Sequence, residues 1–330
     1  MDRYSHLPRR GDFAGQVLTG AFDPVWEDGS HRATYFGLTL EGSWPYAVVT
    51  APGSGTTYAV HRNVQGRTTR GILVQHSRDG AMRVMPESFR AAHGGTVTRR
   101  LTPEGDLYQG SPHPGGPWFN FLSGPRLQWQ ESDSTARFLD LAGDLAGPGF
   151  HVHAPWRQGE SLGGVYYTSL CWRVEGRMFG EDVTGFALLD QSYLPHGVYW
   201  NDSPVWNHYQ VIWSVFANAY DDGSVEFGHF SVGADNFRFG VVSDAEGPVL
   251  DVRDDATAEV EWGDDGFANR VDYRIGSEHW VYDHAPDGSM VDASAARPGW
   301  KGHVGTIRRA DERRTAVAGF GWQEVFPDRL

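Results

Sequence analysis

The chain contains one cysteine, Cys171, and one lysine, Lys301, in 330 residues. A single cysteine excludes an internal disulfide framework and a structural zinc site built on sulfur. Its surroundings, YYTSLCWRVEG, read as a strand, so Cys171 is expected to be a buried, inert thiol rather than a nucleophile. A single lysine confines any Schiff-base chemistry to Lys301, which sits in the Gly-rich turn RPGWKGHVG. Long apolar runs are missing as well. No window approaches the roughly 20 apolar residues of a membrane-spanning helix, and the basic start MDRYSHLPRRGDFAG has no apolar stretch behind it. A cytoplasmic protein with no membrane span is expected. Positive charge is also short: 28 Lys and Arg face 42 Asp and Glu, a formal net charge of -14. The acids are scattered through turns such as DDG, EGD and GDDG, so no nucleic-acid partner is expected.

Amphipathic helices are nearly absent. Two short candidates stand out, at 132–145, where Phe138, Leu139, Leu141 and Leu145 can share a face, and at 85–92. What recurs instead is short runs rich in Val, Tyr, Phe and Trp, among them HRATYFGLTLEG, WPYAVVTAPG, TTYAVHRNV and RGILVQHSRDG, with Gly, Asp, Asn and Pro between them. The 42 Gly and 18 Pro act as turn punctuation rather than as a repeat. The class is therefore all-β with antiparallel connectivity. A Gly/Pro cluster in LAGDLAGPGFHVHAPW interrupts the strand rhythm, which places a boundary near residue 148 and divides the chain into β units at 1–148 and 149–330. Each half has enough strands for its own barrel or sandwich.

Several chemistries lack their required context. No strand-to-helix turn carries GxGxxG, GxxxxGK[ST] or a GxSxG elbow, and HExxH is absent. His151 and His153, two apart on a strand, face one side as metal ligands do in some barrels, but the sequence places no third ligand. The alternative is that both are hydrogen-bonded or pocket-lining histidines. The hairpin AYDDGSVEFGHF offers Asp221, Asp222 and Glu226 as acids for glycoside hydrolysis. Asp221 and Asp222, however, lie where a β-turn and solvent are expected, and alternation leaves the side of Glu226 open. In the first half, His61 and Asn63 share a strand face, as pocket groups or as ordinary sheet positions. The Pro/Gly loop at 111–125 carries Trp118, Phe119 and Phe121, which suit a lid over a cavity or the closed end of a barrel.

Asp190 differs from the other acids. In TGFALLDQS, alternation puts Phe186, Leu188 and Asp190 on one strand face and Ala187, Leu189 and Gln191 on the other. A carboxyl at the end of an apolar face is either paired structurally, with Arg173, Arg177 or a histidine, or points into a cavity. Burial raises its pKa and keeps a transferable proton on it near neutral pH.

The order GFALLDQSY, an aromatic loop, HYQVIWSVF and the DDGSVEFGHF hairpin is similar to the second half of the carotenoid 1,2-hydratase and AttH-like superfamily, which includes lipocalin-like Diels-Alderases. The resemblance spans residues 185–230. It places Asp190 at the family's Asp, Trp206 and Trp213 at its aromatic positions and Asp222-Gly223 at its hairpin. The chain has DQSYLPHG, with Tyr193 where Trp is frequent in the DxxWG form. The resemblance implies two lipocalin-like halves enclosing a ligand cavity.

One acid facing many rings suits proton delivery to an alkene or a tertiary alcohol, because aromatic faces attract a carbocation without capturing it. Asp190 is the candidate acid, with His196 and Tyr193 as further catalytic candidates. Tyr199, Trp200, Trp206, His208 and Trp213, together with Trp118 and Phe121, are the candidate substrate-binding residues, and His196, His208 or Tyr199 can hold the water that adds or leaves. The expectation is a cofactor-independent hydro-lyase acting on a hydrophobic, terpenoid-like small molecule, with no cofactor required. The alternatives are an isomerase or cyclase, a lipocalin-like carrier, a glycan-active sandwich and a metal enzyme through His151 and His153.

Overall fold

The computed structural model describes residues 17–23, 34–85, 95–111, 118–133, 136–154, 164–203, 205–234, 237–253 and 255–329; the side chains of Arg70, Trp118, Asn207 and His208 fall outside that description. The fold is all-β, two curled, barrel-like antiparallel sheets. The alternating apolar pattern accounts for both, since each strand can bury one face inside its own curl and turn the other toward the neighbouring sheet.

Among the described residues the first sheet has fourteen strands. Its spine is the hairpin of Val165–Met178 and Glu181–Leu194, paired along its whole length. The two-residue turn between them needs positive φ at both positions, which Gly180 (87°) adopts freely and Phe179 (48°) does not. Stacking of the Phe179 ring on Phe138, 5.3 Å between centroids, helps to hold it there. The sheet curls far enough that Thr68 bridges to Thr96 and Val97 N–H donates to the Arg67 carbonyl at 2.7 Å. Inside the curl, Arg62 and Glu131 form a fully buried two-pronged ion pair at 2.6 and 2.5 Å. Burial still raises the Glu131 pKa, against the opposing pull of Arg62.

The second sheet has nine strands among the described residues and is centred on Ile212–Tyr220, flanked by Val225–Val232 and Ala316–Val325. Period-two alternation assigns the two faces. Ile212 and Phe216 point into this sheet's own core, whereas Trp213, Val215 and Ala217 join Phe186, Leu188 and Cys171 of the first sheet in a shared core. Cys171 is buried, as expected.

Two expectations require correction. The 132–145 segment is not helical. Arg126–Ser132 and Arg137–Leu145 are antiparallel strands, and Val165–Met178 pairs with the far side of the second. Leu139 and Leu141 satisfy a period of two as well as a helical one, and backbone pairing on both sides decides between them. Of the other helical candidate, 86–92 lies outside the described residues. The change from one sheet to the other falls at 195–211, not near 148. The strand Gly149–Ala154 and the long hairpin after it all belong to the first sheet. The connector at 195–211 carries a 3-10 turn, Trp200–Asp202, and a single π-turn, Val205–Tyr209, closed by Gln210 N–H to the Val205 carbonyl at 2.6 Å. It crosses one end of the seam between the sheets.

Candidate active site

Pairing register brings the central acid and its partners together. Asp190 lies opposite Ser169 on one neighbouring strand and Trp44 on the other. All three belong to the face that looks toward the second sheet. Ser169 Oγ donates to Asp190 Oδ1 at 2.7 Å. From the second sheet, His229 brings Nε2 to 3.2 Å from Ser169 Oγ, 3.4 Å from the Tyr46 hydroxyl and 3.8 Å from Asp190 Oδ1. The hydroxyls of Tyr46 and Tyr167 also favour the charged carboxylate, although that of Tyr167 lies outside direct hydrogen-bond geometry.

Desolvation outweighs these donors. Asp190 is 7% exposed, and burial pushes its carboxyl pKa up to about 7, with the nearby negative charge of Glu324 adding to the effect. Burial has the opposite consequence for the imidazoles: His229 and His61 are both lowered to about 3, so each is neutral at physiological pH. Tyr46 and Tyr167 are raised well above 10, chiefly by burial, and keep their protons. Within this cluster Asp190 is the group poised to exchange a proton near neutrality.

The acid opens into a cavity of about 110 Å³ between the two sheets. Trp44, Tyr46 and Tyr167 line it from the first sheet, Trp213 and Trp322 from the second, and Trp200 and Trp206 from the connector. The rings meet edge to face: Trp200 stands 6.0 Å from Trp213 and 5.5 Å from Trp44, and Tyr167 stands 5.4 Å from Trp213. Gly42 makes room for this wall, because a Cβ there would lie 2.3 Å from the Trp44 ring. Beside Asp190 the polar lining is His61, Asn63, Asn201, Gln210, Glu324 and Arg297, of which Asn201 and Arg297 are exposed. Burial raises the Glu324 pKa, Arg297 opposes that, and Gln210 Nε2 donates to Glu324 Oε2 at 3.1 Å. Larger clefts of about 720 and 700 Å³ run elsewhere along the seam, but neither joins a buried acid to a wall of rings.

The structure brings Asp190, Trp200, Trp206 and Trp213 together on one cavity. It separates others from them. Tyr193 is on the opposite strand face, packed with Tyr166, Leu38 and Leu40. His196 is 92% exposed and pairs with Glu41 at 3.1 Å. Tyr199 lies beside Gly66, outside the cavity wall. Phe121 is buried in the first sheet's own core, 5.4 Å from Trp129. The side chains of His208 and Trp118 lie outside the described residues.

The alternative sites resolve differently. Asp222 accepts from Ser224 in an exposed turn, and Glu226 is buried against Arg309 at 2.7 Å and Arg314 at 3.3 Å. His151 binds the Ala21 carbonyl at 3.1 Å and His153 stacks on Phe36. Among the described residues no group of three or more His, Cys, Asp or Glu side chains is placed to hold a metal. No helix among them is long and apolar enough to cross a membrane.

No protein-family model matches the chain, and no curated protein matches it. Three solved structures are similar to it over most of its length. The putative AttH of Nitrosomonas europaea is 14% identical, with 92% of this chain and 97% of that one covered at a TM-score of 0.49. CghA, solved with Sch210972, is 12% identical with 86% and 88% covered at 0.48. Kievitone hydratase of Nectria haematococca is 10% identical with 94% and 98% covered at 0.46.

Proposed function

We propose that the protein is a cofactor-independent hydro-lyase that adds water to, or removes it from, an apolar terpenoid-like molecule by acid catalysis. The observation that carries this reading is the buried Asp190 carboxyl, with a pKa raised to about 7, facing a cavity walled by tryptophans. In hydration the Asp190 proton goes to one alkene carbon. The cation forms at the other carbon, water attacks it, and the resulting aspartate takes the surplus proton back. Dehydration runs through the same steps in reverse, with Asp190 protonating the departing hydroxyl. Trp200, Trp213, Trp322 and Tyr167 line the space where the cation forms, and each ring face turned toward it is worth about 0.5 to 2 kcal/mol to a desolvated cation. His61 and Asn63, which line the cavity, are the neutral groups suited to holding the water; His196 and Tyr199 are not among its lining residues.

The cavity's volume is comparable to that of an engineered apolar cavity that admits benzene. One ring or one branched unit of the substrate enters, and the remainder stays at the mouth. Isomerisation or cyclisation without net water is the second reading, favoured by the same proton-returning acid beside a wall of aromatic rings.

The test incubates metal-stripped wild-type protein and Asp190→Asn with tertiary terpene alcohols, their alkenes and acyclic polyenes, read by chromatography with mass spectrometry. Products shifted by the mass of water and lost in the variant support the hydro-lyase. Products of unchanged mass, also lost in the variant, indicate an isomerase or cyclase. Ligands retained but never altered indicate a carrier, and full activity in the variant rejects Asp190 as the acid.

A further inference from the structure

One charged group of the cavity has no part in the acid chemistry. Arg297 follows the short helix Val291–Ala296, and its exposed side chain reaches the cavity mouth. The guanidinium carbon stands 4.9 Å from the Trp300 ring centroid and 5.7 Å from that of Trp206. Among the described residues no side chain hydrogen-bonds to this guanidinium or pairs with it, although Glu324 on the same wall feels its charge. Glu324 is itself engaged by Gln210. Other arginines packed on rings are tied up differently: Arg309 and Arg314, which lie over Trp280 and Tyr220, both pair with Glu226.

Rings beside a guanidinium limit its rotation, and contact with a ring face leaves its in-plane N–H donors available. That geometry suits a planar anionic oxygen group, which can take two parallel charge-assisted hydrogen bonds. The protein's overall charge of -14 repels anions, so an arginine at the mouth with no side-chain hydrogen bond among the described residues is a local exception to the general field. At the deep end Asp190 must carry its proton to act as an acid, and in that state it does not oppose an anionic ligand.

We propose that the ligand is an amphiphile whose apolar portion enters the aromatic cavity while a carboxylate, or a comparable planar anionic group, remains at the mouth on Arg297. Arg297 is then a specificity-determining residue. This inference rests on the reading of the cavity as an apolar small-molecule site, and it does not depend on turnover.

The test uses three probes that share one branched ten-carbon skeleton: geranic acid, methyl geranate and geraniol. Their affinities are measured by calorimetry at about pH 6 and low salt, where Asp190 keeps its proton, for the whole wild-type chain and for Arg297→Gln, with circular dichroism confirming that the variant is folded. The acid should bind wild type about tenfold more tightly than the ester, a preference of about 1.4 kcal/mol. Added salt should weaken that preference. In Arg297→Gln the preference should vanish while ester and alcohol affinities stay unchanged. Equal or weaker binding of the acid by wild type, or a preference that survives in the variant, overturns the inference and leaves the apolar cavity standing. Failure of all three probes to bind overturns the apolar cavity reading, and this inference with it.

Discussion

Replacing Asp190 by Asn should stabilise the protein, and by an amount that depends on pH. The folded chain holds the Asp190 proton up to about pH 7, against an ordinary value of 3.8. Because the folded-state pKa is the higher one, this group favours the native state below about pH 4. As pH rises the unfolded chain releases its proton first, and the advantage is lost progressively until about pH 7. At 1.36 kcal/mol for each pH unit of that gap, the total comes to about 4 kcal/mol. Asparagine has no proton to lose and keeps an oxygen to accept from Ser169. The stability of Asp190→Asn minus that of wild type should therefore climb by somewhat over 1 kcal/mol per pH unit from about pH 4, then level off above about pH 7.5. Urea unfolding at fixed ionic strength between pH 4.5 and 8.5, analysed with a common slope, measures this difference. A difference independent of pH, or a variant that loses ground to wild type as pH rises, would refute the burial argument.

Activity should fall as Asp190 loses its proton, with kcat/KM declining tenfold per pH unit above about pH 7. His229 and His61, already neutral, should add no further limb between pH 5 and 9; a flat profile to pH 9 would contradict this assignment. Trp213→Phe should retain most of the activity, whereas Trp213→Leu should lower kcat about 2- to 30-fold with little change in substrate affinity, in line with one lost cation–ring contact. Equal kcat for the two variants would remove the aromatic face from the mechanism. Gly42→Ala should drive the Trp44 ring out of the cavity wall, weakening ligand binding and costing about 1 to 3 kcal/mol of stability, both measurable on the purified variant. Unchanged ligand affinity would show that Trp44 is not needed in the wall.

The legible part of the site is the part that is local in sequence. Asp190 could be assigned to a face by counting from Phe186 and Leu188, and Trp200, Trp206 and Trp213 follow within one connector and the strand after it. Tyr193 shows where counting matters: an odd offset from Asp190 places it on the opposite face, and the register shifts between Ser192 and Tyr193 as well. Ser169, Tyr46 and Tyr167 arrive through pairing register with strands that no local pattern specifies. His229, Trp322 and Glu324 come from a second sheet packed against the first, and Arg297 from a short helical turn. The strand rhythm made the all-β class legible throughout. The sheet boundary was not, because the Gly/Pro cluster near 148 punctuates one sheet while the true crossover at 195–211 is rich in aromatic residues and resembles core.

The central claim is that Asp190 carries a proton at neutral pH, and carbon-13 NMR of the aspartate side-chain carboxyls tests it without a substrate. The resonance missing from Asp190→Asn identifies the residue. The account predicts that this signal titrates with a midpoint near pH 7 in the wild-type protein. A midpoint near 4 would show an ordinary ionised carboxylate, and acid catalysis by Asp190 would then be contradicted.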